Sequence, residues 1–405
     1  MRLLISFAAL LLSISFLQFS TGAVNPFDAL SGLQSGFTQA QVGLLGTAHF
    51  LGFFIGCWWA PRLIGSIGHS RAFGAFAALG AIGLIAHPMY VDPYAWAGLR
   101  VMSGLCISGC YTVIEAWFSA KLTNDIRGRM MSIYRVVDIS AASLAQMMIG
   151  FLEPAAYASY NLLAIVACAC LLPLTLTTAK QPPTLSAPRL RPMKTILSSP
   201  LGVAGVIVTG VTSASTRTVV PIYGLEIGLT PVQIGYFLST TLVGGALAQI
   251  PVGWLADKFD RRYVLIGLSV ASFVACAGIV AFGRDTIALV YIFAALFGAT
   301  TMPIFSVSAA HANDFAPPEE QVELNASLML FFALGAVVSP IIASTAMQVF
   351  GPAALFTFIS LAHLALVIFG FVRMRARPTS ATRTSYQYTP RTSTLIGSLL
   401  RRNSD

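Results

Sequence analysis

Gly253-Trp254-Leu255-Ala256-Asp257-Lys258-Phe259-Asp260-Arg261-Arg262 joins two apolar runs, placed near 231–254 and 263–283. Five of its ten residues carry charge, in a chain that is 56% hydrophobic and only 10% charged. A soluble domain carries about 25% charged residues, because that much polar surface is needed to meet water. A chain of mean hydropathy +0.77 has no such cover, so a bilayer must be its solvent. A short loop of mixed charge between two apolar runs then has only one place to sit, the membrane surface.

Working outward from the loop, apolar runs of roughly 20 residues recur, each long enough to cross the hydrocarbon core as a helix. They fall near 3–24, 39–60, 71–91, 94–119, 129–151, 157–178, 200–222, 231–254, 263–283, 286–309, 324–346 and 352–373. The expected fold is an all-α integral membrane protein with twelve transmembrane helices in two pseudo-symmetric six-helix bundles, residues 1–179 and 200–373. Between them, 180–199 carries Pro182, Pro183, Pro188 and Pro192 with Arg189, Arg191 and Lys194, and reads as a linker. Beyond the second bundle, 374–405 turns rich in Ser, Thr and Arg and reads as a disordered tail. The first 24 residues also resemble a secretory signal, with Arg2, an apolar run and Ser20-Thr21-Gly22-Ala23. Their length and the spans that follow favour a retained first helix.

Of 24 Lys and Arg, Arg100, Arg135 and Arg217 lie within spans and Arg284 in a loop on the opposite face. The other 20 fall in the termini or in loops sharing one side, which the positive-inside rule makes the cytoplasm. Both termini are therefore expected there, in a bacterial inner membrane. The loop with Asp314, Glu319, Glu320 and Glu323 departs from this pattern, but acidic residues weigh little in the rule. The net charge of +9 is spread over short loops and the tail, so anionic lipid headgroups rather than nucleic acid are the expected partners.

A faint repeat links the halves. Ser119-Ala-Lys-Leu-Thr-Asn-Asp125 matches Ser308-Ala-Ala-His-Ala-Asn-Asp314 at an offset of 189 residues, and Gly109 and Gly298 keep that offset. Duplicated halves are common in secondary transporters, which bind substrate where the repeats meet. With the linker and the charged loop, the chain over residues 1–375 resembles a major facilitator superfamily transporter, and Gly253 to Arg262 resembles that family's signature loop. The resemblance implies a cytoplasmic gate of Gly253, Asp257, Arg261 and Arg262. Asp257 would meet a helix N-terminus, and the arginines would bridge to acidic groups or carbonyls. The equivalent first-half stretch, Ala60-Pro61-Arg62-Leu63-Ile64-Gly65-Ser66-Ile67-Gly68-His69-Ser70-Arg71, departs from the pattern, and its Ala60 to Ile64 followed by Gly68-His69 resembles a bacterial twelve-helix subgroup of the family. Gly65 stands where Asp257 would, and Pro61 where Gly253 would. The Gly-Pro-rich fifth-helix motif of the drug-antiporter branch is absent from Ala141 to Gly150.

Ionisable groups inside spans are costly in lipid and mark pathways or fixed pairs. In the fourth span Arg100, Gly104, Ser108, Tyr111 and Glu115 form one stripe. In the fifth, Arg135, Asp138 and Gln146 share a face, with Tyr134 beside it. Antiparallel packing of these spans predicts a Glu115–Arg135 pair with Asp138 one turn deeper, and Arg100 along the same seam. Two readings stand: Glu115 or Asp138 takes up a proton in transport, or the charges are a static link between helices. Thr209, Ser213 and Arg217 form a further stripe in the seventh span, where Arg217 would favour an anionic substrate or snorkel to the surface. Glycines at Gly52, Gly56, Gly245 and Gly253 would permit close helix packing, and His49 and Gln249 are additional cavity candidates.

The six cysteines lie in apolar stretches without histidines at zinc spacing, so neither a metal site nor a cofactor is expected. No phosphate-binding loop or nucleophile–base pattern points to an enzyme. The expectation is a monomeric secondary active transporter of a small solute, its candidate partners being a proton and the lipid bilayer. A non-transporting receptor or scaffold and a passive facilitator are the alternatives.

Overall fold

In a computed structural model of the chain, described over residues 2–120, 122, 126–176, 190–282, 286–376, 384 and 386, every regular element is helical. The helices are α1 (Arg2–Gln34), α2 (Gln39–Ile67), α3 (His69–Ala86), α4 (Pro93–Ala120), α5 (Arg127–Met148), α6 (Tyr157–Ala169) and α7 (Leu171–Thr175). After the stretch beyond residue 176 come α8 (Pro192–Ser198), α9 (Pro200–Glu226), α10 (Pro231–Lys258), α11 (Arg261–Phe282) and α12 (Ile287–Thr301). The last three are α13 (Pro303–Asn313), α14 (Gln321–Phe350) and α15 (Ala353–Ala376).

Among the described residues, eleven helical stretches are long and apolar enough to cross a membrane. The twelfth expected span, α5, has the length but carries Arg129, Arg135, Asp138 and Gln146, which lower its hydropathy. It turns Arg135 and Asp138 toward α4, where they find partners. The sixth span is built from α6 and α7, and the tenth from α12 and α13, which meet at Met302-Pro303. Pro26, Pro61, Pro221, Pro251 and Pro340 sit inside long helices, as neighbouring helices in a membrane protein allow.

Contacts divide the chain into two compact units on either side of the proline-rich stretch. Each repeats one pairing scheme. In the first, α1 packs on α5, α2 on α4, and α3 on α6. In the second, α9 packs on α14, α10 on α12, and α11 on α15. The same glycine device closes the second pair of each unit. A Cβ on Gly104 of α4 would stand 2.0 Å from the His49 carbonyl oxygen, and one on Gly298 of α12 only 1.8 Å from that of Thr241. Only a residue without a Cβ fits such backbone contact. Gly104, not Gly109, is thus the counterpart of Gly298; Gly109 lies against the Phe76 ring. In the other half of the expected repeat, 121 and 123–125 lie outside the described residues, as does Arg284.

Three boundaries differ from expectation. Helix α1 continues past residue 24 to Gln34 and carries Asp28 into the unit, because buried partners satisfy the carboxylate. Ser20, within the signal-like stretch, is buried and its hydroxyl donates to the Leu163 carbonyl (2.9 Å). The end of the expected linker is docked structure: Arg191 pairs with Glu323 (2.9 Å) and Lys194 with Glu320 (2.5 Å), so the acidic loop is answered by the linker's basic residues. In the expected tail, Met374–Ala376 continue α15, and Thr384 and Tyr386 bind the second unit; the remainder lies outside the described residues.

Candidate functional site

The expected pair forms where side chains of α4 and α5 reach each other, although the backbone of α5 packs on α1 rather than closely on α4. Glu115 is about one and a half turns from the end of α4, where an isolated carboxylate would face apolar side chains. Arg135 of α5 meets it, with Nη2 3.9 Å from Glu115 Oε1, and its other nitrogen Nη1 lies 3.7 Å from Asp138 Oδ2. Two tyrosines complete the cluster. Tyr134 donates its hydroxyl to Glu115 (3.4 Å), and Tyr111 donates to Asp138 (3.3 Å). Glu115 is 2% exposed, Asp138 7% and Arg135 9%. The Arg135 guanidinium also lies over the Tyr134 ring at 5.0 Å, within cation–π range. Arg135 thus lies between two carboxylates, and Tyr111 and Tyr134 belong to a hydrophobic cluster that includes Trp117, Phe118 and Met130.

Gln146 shares the α5 face but stands about 12 Å beyond Asp138 along the helix, at 1.5 Å per residue. Its buried Oε1 has no hydrogen-bond donor among the described residues. Arg100 does not join the seam. Fifteen residues from Glu115 on one straight helix is about 22 Å. Arg100 instead pairs with Asp28 of α1 (3.4 Å). Asp28 also accepts from the Tyr160 hydroxyl (2.9 Å) and lies 3.4 Å from His87 Nε2. The His87 ring stacks on Tyr160 and contacts Trp96, and its Nδ1 meets the Gly83 carbonyl at 2.6 Å. Sequence reasoning misses this second buried cluster, Asp28–Arg100–His87–Tyr160, because it places Asp28 outside the first span. The available signal is Arg100 itself: an arginine in a span needs an acidic partner, and Glu115 on the same helix is out of reach.

In the second unit, Arg217 is exposed on α9 rather than packed within the unit. His49 is buried beside Ser103, its Nδ1 3.5 Å from the Ser103 hydroxyl, in the tight α2–α4 contact.

The loop between α10 and α11 folds around Arg261, which is 2% exposed. Its guanidinium donates to Asp314 at the end of α13 (2.6 Å), to the Ala310 carbonyl (2.9 Å) and to that of Ala256 (3.3 Å). Arg262 is held by Asp260 through 2.8 and 3.1 Å contacts. Asp257 is half exposed. It meets Arg261 at 3.4 Å and accepts the Tyr386 amide at 2.7 Å, and among the described residues no helix N-terminus is seen to donate to it. Gly253 lies under the Tyr386 ring. The first-unit counterpart is built differently: Arg62 donates to the Trp58 carbonyl of its own helix (2.7 Å) and lies over that ring. Gly65 has open space around it, and Gly68 ends α2 at φ +85°. Among the described residues no group of three metal-ligating side chains occurs.

The family model described as Major Facilitator Superfamily matches residues 202–404, half of the chain. The chain belongs to the major facilitator superfamily. An "Uncharacterized MFS-type transporter YcaD" from Salmonella heidelberg (strain SL476) is 25% identical over 353 residues, 87% of this chain and 91% of the relative. An "Uncharacterized MFS-type transporter" of Yersinia pestis (strain Pestoides F) is 25% identical over 350 residues, covering 85% and 88%. Solved structures share the fold at low identity. A mutant form of the nucleoside transporter NupG has a TM-score of 0.77 at 12% identity, over 90% of this chain and 98% of that one. A D-xylose-proton symporter has a TM-score of 0.67 at 14% identity, over 94% and 99%. As a member of this superfamily, the protein is a multi-pass membrane transporter and not an enzyme.

Proposed function

We propose that this superfamily member moves a small solute across the bacterial inner membrane by alternating access, coupled to protons through the α4–α5 seam. The observation that carries the reading is one guanidinium, Arg135, shared by two buried carboxylates at 3.7 and 3.9 Å. Buried charge is costly unless it is neutralised. A proton on Glu115 or Asp138 would remove one of the two negative charges beside Arg135, and its loss would restore both. Proton occupancy would therefore change the side-chain ties that cross from α4 to α5, Glu115 to Arg135 and Tyr111 to Asp138, and so bias a conformational cycle. The Asp28–Arg100 pair balances without such a proton and serves better as a static tie. Tyr111 and Tyr134 hold the two carboxylates in place, and Gln146 continues the polar track along α5. That a solved protein of this fold is named a D-xylose-proton symporter supports proton coupling as compatible with the architecture.

The same reading makes Gly253, Asp257, Arg261 and Arg262 a gate in one loop on the cytoplasmic side, with 1–179 and 200–373 as the moving halves. Both termini would lie in the cytoplasm, the basic loops would meet anionic headgroups, and the working unit would be a monomer. Arg217, exposed on α9, is the group that would attract an anionic or carboxylate-bearing solute.

The test is accumulation in proteoliposomes under an imposed proton gradient, after a substrate screen by thermal shift. Glu115→Gln should abolish gradient-driven accumulation while preserving solute exchange and a cooperative unfolding transition. Unchanged accumulation would overturn the coupling role. Equal wild-type flux with and without the gradient would make the protein a passive facilitator.

A further inference from the structure

The charged loop of the second unit is occupied by the chain's own C-terminal residues. Thr384 donates both its amide (2.8 Å) and its hydroxyl (2.9 Å) to Asp314, and its carbonyl accepts from Arg261. Arg261 Nη1 also donates to the Thr384 hydroxyl (3.2 Å). Two positions on, Tyr386 gives its amide to Asp257 (2.7 Å) and its hydroxyl to Gln249 (2.8 Å). Its ring lies against the Cα of Gly253; a Cβ there would stand 2.8 Å from two ring carbons.

These contacts read both backbone and side chain. Two amides meet carboxylates from different helices, Asp257 of α10 and Asp314 beyond α13. A carbonyl meets Arg261 of α11, and an aromatic ring ending in a hydroxyl fits the glycine gap below Gln249. Ser or Ala at 386 would leave the gap unfilled, and a residue larger than glycine at 253 would close it. A pairing of this kind also explains why Asp257, half exposed and only 3.4 Å from Arg261, is well placed for a donor from outside its helix.

We infer that Gln249, Gly253, Asp257, Arg261 and Asp314 form a peptide-binding site occupied by the chain's own Thr384 and Tyr386, and that these two residues strap α10, α11 and α13 together. The functional consequence rests on the reading of the loop as a gate: the strap restrains the same residues that the gate must release. Leaving the site would free the loop, so tail binding sets how readily the gate opens.

A double-replacement cycle on the purified full chain tests the site without a substrate. In the wild-type background Gly253→Ala should lower the unfolding temperature by about 2–4 °C, the shift expected of a modest local loss in a unit of this size. In a Tyr386→Ala background, where there is no ring to displace, the same change should cost almost nothing. Additive effects would overturn the proposal. If Gly253→Ala does not fold, the cycle between Gln249→Ala and Tyr386→Phe replaces it, with the same requirement of non-additivity. Hydrogen exchange in 249–262 should quicken by about tenfold or more in Tyr386→Ala, since the strap's contribution to local stability is removed; unchanged exchange would count against the strap. Transport by Asp257→Ala is the separate test of the gate: normal flux in a protein whose cycle is coupled would remove the gate and leave the tail site standing.

Discussion

At the scale of single residues, the two buried ion clusters of the first unit differ in stoichiometry, one carboxylate beside Arg100 and two beside Arg135, and on the proposed reading they differ in role. Asp28 and Arg100 have side chains 2% exposed and balance each other, with Tyr160 supplying a further hydrogen bond. Removing one partner leaves a buried charge uncompensated, at a cost of about 3–5 kcal/mol. Asp28→Ala should therefore lower the unfolding temperature sharply, and Asp28→Asn combined with Arg100→Gln should recover much of the loss. The seam should behave otherwise. Asp138→Asn removes one of the two carboxylates beside Arg135 and keeps Glu115, so folding should be retained while gradient-driven accumulation changes, as read in proteoliposomes. Arg261 is a third case. With Asp314 as its buried partner, Arg261→Ala should again cost about 3–5 kcal/mol, measured as loss of a folded monodisperse species.

At the scale of elements, helix spacing rather than charge decides what can be replaced. Gly298 lets α12 ride on the α10 backbone, and any Cβ there meets the Thr241 carbonyl at 1.8 Å. Overpacking typically costs about 1–3 kcal/mol, and a rigid carbonyl relaxes less than a side chain does. Gly298→Ala should accordingly destabilise the protein in a thermal-unfolding assay. Gly267→Ala on α11, where nothing lies within 4 Å, should be neutral or slightly stabilising. The short helix α8 is held by Arg191–Glu323 and Lys194–Glu320, pairs that are substantially exposed. Such pairs contribute about 0–1 kcal/mol and weaken with salt. Lys194→Ala should change the unfolding temperature little, and the difference from wild type should vanish at high ionic strength.

At the scale of the whole molecule, the two units repeat one scheme of helix pairs, the physical form of the duplication only hinted at by the Ser308–Asp314 repeat. In the second unit, Ser198 at the docked end of the linker, Arg262 of the charged loop and Arg373 of α15 line one small cavity, so they share one end of that unit. If the positive-inside reading holds, a reporter fused after α15 should be active only when it is a cytoplasmic reporter. Composition and hydropathy suffice to read the solvent and the helical class, because every backbone group in lipid must be satisfied within its own helix. The Glu115–Arg135 pair is legible too: a charge in a span demands a partner, and a short loop brings those two residues to one depth. What the linear order does not reveal is partnership across distant segments. Asp28 with Arg100 and His87, Gly298 on Thr241, and Tyr386 over Gly253 all join residues far apart in sequence, and each depends on helix crossings that periodicity does not specify. The charged loop that announces the family is readable from its ten residues alone. That the chain's own tail fills it is decided only by tertiary packing, which brings three helix ends and one glycine gap within reach of a tyrosine 133 positions away.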